Sequence, residues 1–356
     1  MTAEMTAEVV NDSGLVVDDS ELGVEDSGLG VEDSTLQAKL ATLSDALKQR
    51  VVAQDELIEY LLIALLTDGH VLLEGPPGLA KTRTVHALSD LLEGVYHRAQ
   101  FTPDLLPSDI TGTEIYNTQK GEFTFRPGPL FCNLLLADEI NRAPAKVQSA
   151  LLEAMAERQV TVAGKTYPLD KFFMVMATQN PLEQEGTYPL PEAQLDRFML
   201  HIRVDYPQHE QEKEILRLVR GEHTSNLEGA AVSTETALTE DELFSARSAI
   251  MRTYMAPNLE DYLVALIMAT RHPERYGDDL KDSLVFGASP RATIALDRAV
   301  RAKAWLAGRD FVTPDDFQEI APSVLRHRIG LSYVAEAKGL DKDKMIAELI
   351  SRVAVP

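Results

Sequence analysis

Apolar residues recur at three- and four-residue spacing from Leu36 to Leu66. Leu36, Leu40, Leu43 and Leu47 form one register and Leu57, Leu61 and Leu65 a second. The spacing predicts two helices, broken near Arg50-Val51-Val52. Downstream the period changes. Short apolar runs at 70–74, 96–101, 134–137, 172–177 and 199–204 predict strands, and helical stretches such as 145–158 separate several of them. Strands alternating with helices imply an α/β core, a parallel five-stranded sheet with helices on both faces. Two inserts interrupt the rhythm. Ile115-Tyr116 and Phe123-Thr124-Phe125 flank a turn-rich gap, and Val160-Thr161-Val162 and Tyr167-Pro168-Leu169 flank Ala163-Gly164-Lys165. Each pattern predicts a hairpin, and segments that stand off a scaffold often carry function. From about Pro207 helical patterns dominate, at 210–220, 240–255, 259–272, 290–306, 314–325 and 342–353. Residues 221–236 read as a polar link, and this half is expected to be an all-α domain packing a core of its own.

The strand ending at Glu74 runs into Gly75-Pro76-Pro77-Gly78-Leu79-Ala80-Lys81-Thr82, and a helical stretch, 83–92, follows. Strand, Gly-rich turn and helix start are the context of a phosphate-binding loop. Backbone N–H groups there point inward, and the helix N-terminus adds positive potential. Lys81 is placed to reach β- and γ-phosphates, and the Thr82 hydroxyl to hold Mg²⁺. Ala80 stands where the usual pattern has Gly.

A second apolar run, Leu134-Leu135-Leu136-Ala137, ends in Asp138-Glu139. Acids at the carboxyl edge of a buried parallel strand sit where open α/β sheets bind ligands. Asp138 is expected to complete the Mg²⁺ coordination and Glu139 to polarise the attacking water. The run at 172–177 ends in Thr178-Gln179-Asn180-Pro181. The Asn180 amide at that edge suits a bond to the γ-phosphate or the water, although Asn-Pro is also a plain turn signal.

Charge changes the picture at the N-terminus. The net charge is −22, and residues 1–36 hold ten acids and no base. A seven-residue echo there (SGLVVDD, SELGVED, SGLGVED) spaces its apolar residues two then five, whereas a coiled-coil seam needs three then four. Residues 1–36 therefore read as an acidic disordered tail. The remaining body is also acidic, which argues against nucleic-acid and anionic-membrane binding. No apolar run approaches the roughly 18–20 residues of a membrane span. No base precedes Lys39, against a secretory or transit signal, and the lone Cys132 beside an apolar run reads as core. A cytoplasmic protein is the simplest account.

Taken together, GPPGLAKT (75–82), LLLADEINRAPAKVQSALLEAMAERQVT (134–161), ATQNPLEQEGTYPLPEAQLDRFML (177–200) and SPRA (289–292) resemble the MoxR group of AAA+ ATPases. Ala80 also looks like that group. The likeness runs from about Leu36 to Pro356 and divides the chain into the tail (1–36), an AAA+ nucleotide-binding α/β domain (37–207) and a helical lid (208–356). It implies ATP and Mg²⁺ as ligands. Further roles follow from it. Asn180 matches the sensor-1 residue, Arg197 the arginine finger that acts in trans on a neighbouring subunit, and Arg291 the sensor-2 residue of the lid. Val52 and Gln54 match the segment lining the adenine pocket, where Ala53 replaces a more usual Gly. Arg142 and Arg158 lie on or beside the helical stretch that follows Asp138-Glu139, and a role at the subunit interface stays open for both.

The resemblance also implies a homo-oligomeric ring, a hexamer, whose hairpins face a pore or a client. Its partners are typically von Willebrand factor A-domain proteins, in maturation or metal-insertion tasks. Two rivals stand beside this ATP-hydrolysing remodeller. One is an AAA+ motor on nucleic acid or transcription complexes; the other is a nucleotide-dependent scaffold that does not hydrolyse.

Overall fold

The computed structural model describes residues 31–51, 54–76, 81–119, 121–180, 186–228 and 238–355, without the side chains of 31, 32, 82, 219 and 221–228. Most of the acidic tail, Val52, Pro77 to Ala80, part of the expected link and the Thr82 hydroxyl lie outside the described residues.

The chain opens with α1 (Val31–Arg50) and α2 (Asp55–Leu66). α1 takes in the last residues of the expected tail. Acids favour a helix N-terminus, and Asp33 is also paired with Arg252 at 3.0 Å. Next come β1 (Val71–Glu74), α3 (Lys81–Ser89), β2 (Tyr96–Gln100) and the short α4 (Pro107–Thr111). A first hairpin, β3 (Gly112–Asn117) and β4 (Glu122–Pro127), precedes β5 (Leu134–Asp138) and α5 (Ala145–Glu157). A second hairpin, β6 (Gln159–Val162) and β7 (Lys165–Pro168), leads into β8 (Met174–Gln179), α6 (Glu192–Leu195) and β9 (Leu200–Arg203). The remainder is α7 (His209–Glu228), α8 (Glu240–Arg252), α9 (Pro257–Arg271), β10 (Leu284–Phe286), α10 (Pro290–Leu306), α11 (Pro314–Leu325), β11 (Gly330–Leu331), α12 (Tyr333–Ala337) and α13 (Lys342–Arg352).

Five strands form one sheet in the order β2-β5-β8-β1-β9, every neighbouring pair parallel. Successive side chains alternate between its faces. Leu134 and Leu136 point into one apolar cluster, with α1, α2, α3 and the lid helices; Leu135 and Ala137 point into another, with α5 and Phe198. Burial on both faces explains why β5 reads as continuous apolar sequence.

Two expectations for the second half need correction. The lid has no separate core: Leu296, Trp305 and Phe317 belong to the same cluster as Leu40, Leu61 and the sheet residues. Periodicity reports that a helix has an apolar face and says nothing of which partner covers it. Nor is this half all-α, because β10 and β11 pair antiparallel. Strands of three and two residues are too short to leave a pattern. Gly330 makes the pairing possible, since a Cβ there would lie 2.1 Å from the Phe286 ring. In addition, α7 runs eight residues into the expected link, because a helix satisfies its backbone whatever its surface polarity.

His70, fully buried ahead of β1, ties the sheet to α5. Its Nδ1 accepts from the Val175 N–H at 3.0 Å, which leaves Nε2–H to donate to the Met155 carbonyl at 3.3 Å. The ring is neutral, and burial pushes its pKa down to about 4. His327 is shifted in the same direction by burial, with Arg328 adding to it. Below the ordinary pKa of 6.5 the unfolded chain binds a proton that folded His70 refuses, so stability is lost as pH falls towards 4. We expect urea midpoints to drop between pH 7 and pH 5. The His70→Asn variant keeps an acceptor for Val175 without a titrating ring, so its drop should be smaller by about 2 kcal/mol. Equal drops in both proteins would remove His70 from this account.

Candidate nucleotide site

The sheet order puts β1 between β8 and β9, and β8 in turn beside β5. The carboxyl ends of β1, β8 and β5 therefore deliver the phosphate-binding loop, Asn180 and Asp138-Glu139 to one edge. Gly75 leaves β1 with its backbone pressed on β9, since a Cβ would lie 2.3 Å from the Val204 carbonyl. The loop's first glycine is thus required by strand packing before any ligand is considered. Lys81, the first residue of α3, donates from Nζ to the Gly75 carbonyl at 2.6 Å. Burial lowers its pKa, while Asp138, Glu139 and Glu74 oppose that shift.

A single hydroxyl organises the acids. Thr178 of β8, 1% exposed, donates to Asp138 Oδ1 at 2.6 Å, and its oxygen accepts from the Glu139 N–H at 2.8 Å. Glu139 has φ 58° and ψ 48°, a left-handed conformation that a non-glycine residue seldom adopts. The chain turns sharply there, straight off the strand. Such sparsely populated conformations persist where surrounding bonds over-determine them, as the Thr178 bridge does here.

β2, next to β5, contributes two residues that sequence reading missed. Arg98 Nη2 donates to Asp138 Oδ2 at 2.6 Å, a bond that raises the arginine's pKa. Gln100 Nε2 donates to Glu139 Oε2 at 2.7 Å, and Arg142 Nε lies 3.3 Å from the same oxygen. Gln100 orients the Glu139 carboxylate without neutralising it. Only the strand order, which a single sequence does not reveal, makes these residues neighbours. Thr178 carried a clearer signal, as the last buried residue before the polar end of its strand.

Asn180 is 5% exposed at the end of β8. Gln54 immediately precedes α2, and Arg83 Nε donates to the Arg50 carbonyl at 2.9 Å, which draws the α1–α2 junction against the start of α3. The end of α1, just ahead of the segment expected to line the adenine pocket, is thereby held against α3.

The two expected regulatory arginines lie elsewhere. Arg197 precedes β9 and Arg291 opens α10, and both line a cavity of about 310 Å³ that Gly69 and His70, ahead of β1, also border. That is the amino edge of the sheet. The six residue steps from Gly69 to Gly75 separate it from the loop by about 20 Å at the usual rise per residue. Arg158, Arg298 and Arg328 line the same cavity, with Asp68 and Asp196 as its acids. Arg158 is paired with Asp68 at 2.5 Å. Arg291, matched to the sensor-2 residue of the lid, thus keeps company with Arg197 and not with Lys81.

The inserts form one projection. Phe125 of β4 stacks on Tyr167 of β7 with ring centroids 4.0 Å apart, and Lys165 lies 3.3 Å from Glu114. Such a stacked pair contributes about 0.5–1.5 kcal/mol beyond its burial. Tyr116 and Phe123 are cross-strand partners on the same hairpin face and are 51% and 62% exposed.

Among the described residues no helix is long and apolar enough to cross a membrane. Burial pushes the Cys132 thiol up to about 12, leaving it an unreactive core residue.

Comparison with known proteins agrees with this geometry. Residues 70–200 match the family model described as the ATPase family associated with various cellular activities, and residues 279–349 match the AAA lid domain. Chaperone MoxR1 of Mycobacterium tuberculosis is 46% identical over 310 residues, 87% of this chain and 80% of that protein. Protein MoxR of Methylorubrum extorquens is 34% identical, covering 85% and 90% respectively. A solved structure from Cytophaga hutchinsonii superposes with a TM-score of 0.82 at 44% identity, covering 91% of this chain and 97% of that one. Given these matches along most of its length, the chain belongs to the MoxR group of AAA+ ATPases.

Proposed function

We propose that the protein hydrolyses Mg·ATP within a homo-oligomeric ring, a hexamer, and uses the resulting motion to remodel or mature a protein client in the cytoplasm. The observation that carries this is the division of the machinery. Lys81, Asp138, Glu139 and Asn180 meet at one sheet edge, while Arg197 and Arg291 meet at the other. Neither group is complete alone, so a neighbouring copy has to supply the second half.

At the carboxyl edge the loop 75–82 cradles the phosphates, with Lys81 on the β- and γ-groups. The donor set fits magnesium. Among the described residues no group of three or more His, Cys, Asp or Glu side chains is placed to hold a metal by itself. Mg²⁺ commonly takes one or two carboxylates and completes its shell with substrate phosphates and water. Asp138 and Thr82 would hold it, and when bound it supplies charge that neutralises the phosphate oxygens. Glu139 accepts a proton as the water oxygen bonds to the γ-phosphorus, and the bond to the β–γ bridging oxygen breaks. Asn180 bonds the γ-phosphate or that water. Val52 and Gln54 border the adenine. Arg197 and Arg291 of the adjoining copy stabilise the charge that develops.

The naming of the mycobacterial relative as a chaperone supports a protein client. The paired hairpins, with Tyr116 and Phe123 uncovered, offer such a client an aromatic surface. We place there a von Willebrand factor A-domain partner, whose maturation, including metal insertion, would use the stroke.

Glu139→Gln should bind ATP and lose Mg-dependent phosphate release. Lys81→Ala should lose nucleotide binding itself, and normal turnover in either variant would refute the assigned role. Arg197→Ala should lower turnover roughly 10³-fold or more, by analogy with arginine fingers elsewhere. Its nucleotide affinity should stay intact, measured by a fluorescent ATP analogue. For the hairpins, Tyr116→Ser with Phe123→Ser should abolish client capture by a Glu139→Gln trap while leaving intrinsic hydrolysis of the otherwise unaltered enzyme in place. Undiminished capture would move the client surface elsewhere.

A further inference from the structure

Core and lid are joined at the finger by bonds that the hydrolysis chemistry leaves unused. The Arg328 side chain, 2% exposed, donates from Nε to Asp196 Oδ1 at 2.8 Å. Its Nη1 and Nη2 donate to the carbonyls of Met199 at 3.0 Å and Phe198 at 2.6 Å. The His327 ring meets the Phe198 carbonyl at 2.9 Å through Nε2, and Arg326 Nη1 donates to the His201 carbonyl at 2.7 Å. Three consecutive lid residues thus grip the backbone on the carboxyl side of Arg197.

The other oxygen of Asp196 faces α10. Oδ2 accepts from the Ser289 hydroxyl at 2.8 Å, and that hydroxyl accepts from the Arg291 N–H at 3.1 Å, capping the helix. The Arg291 guanidinium lies 3.9 Å from the same Oδ2. One carboxylate therefore touches the helix that carries Arg291 and sits one peptide unit from Arg197. Arg197 Nε is buried and makes no hydrogen bond among the described residues. With that donor unpaired, the direction of the finger depends on the backbone around it, and Asp196 and Arg328 fix that backbone.

We propose that Asp196, held by Arg328 and Ser289, is a positioning residue that locks Arg197 and Arg291 into one rigid fork for the neighbouring subunit's γ-phosphate. The proposal rests on the trans reading of Arg197 above. A fork fixed in advance spends no binding energy on ordering two long side chains separately. It also makes the finger follow the lid, so a lid displacement withdraws both arginines together.

The test is turnover by mixed rings. Asp196→Asn keeps the shape of the site, and Arg328 keeps its carbonyl partners, so the fold should survive. Alone, this variant should bind a fluorescent ATP analogue like the parent and hydrolyse ATP roughly 10-fold or more slowly, as misplaced catalytic groups do. Mixed with Glu139→Gln, which has an intact fork and no base, it should regain turnover well above either protein alone. Each recovered site would pair Glu139 of one subunit with the fork of the other. Parent-like turnover in Asp196→Asn alongside a dead Arg197→Ala would overturn the positioning role. So would a slow Asp196→Asn that no mixing rescues, because its defect would then lie in its own fold or nucleotide site. Full turnover in Arg197→Ala would instead remove the trans reading beneath the proposal.

Discussion

A parallel sheet covered on both faces leaves only its edges free for chemistry. Here that constraint decides almost everything. The strands are four to six residues long, so the two edges are close enough to belong to one domain and too far apart to act on one phosphate. The carboxyl edge collects the groups suited to a nucleotide and its metal. The amino edge collects arginines around a cavity. Within one copy the two groups lie at opposite ends of the strands.

Electrostatics follows the same division. At the carboxyl edge, Asp138, Glu139 and Glu74 surround Lys81, with Arg98 tied to Asp138. At the amino edge, Arg158, Arg197, Arg291, Arg298 and Arg328 outnumber Asp68 and Asp196. An acidic protein with net charge −22 thus keeps one concentrated cationic recess. Clefts lined by one sign of charge focus the field and attract the opposite sign. A negatively charged group is the natural complement to that recess.

Much of this was legible in the chain. The five core strands, both hairpins and most helices follow from period and turn residues, because each depends on neighbours in sequence. The meeting of Lys81, Asp138 and Glu139 at one sheet edge was legible because loop and strand end have fixed local contexts. What escaped depends on relations across the fold. Arg98 and Gln100 matter only because β2 lies beside β5, and the position of Arg291 only because α10 packs on the finger segment. The ribbon of β10 and β11 left no signal since two or three residues show no period. The shared core of lid and sheet was invisible for a related reason: an amphipathic pattern records burial and not its partner.

The grip of Arg326, His327 and Arg328 on the finger segment has a further consequence for biosynthesis. Arg328 follows Asp196 by 132 residues. A nascent chain therefore completes the segments of Lys81 and Asp138-Glu139 long before Arg328 leaves the ribosome. Because the sheet shares one apolar cluster with the lid helices, its packing too waits on that last stretch of chain. The end of synthesis is therefore the point at which the Asp196–Arg328 pair, and with it the joint between core and lid, can first form.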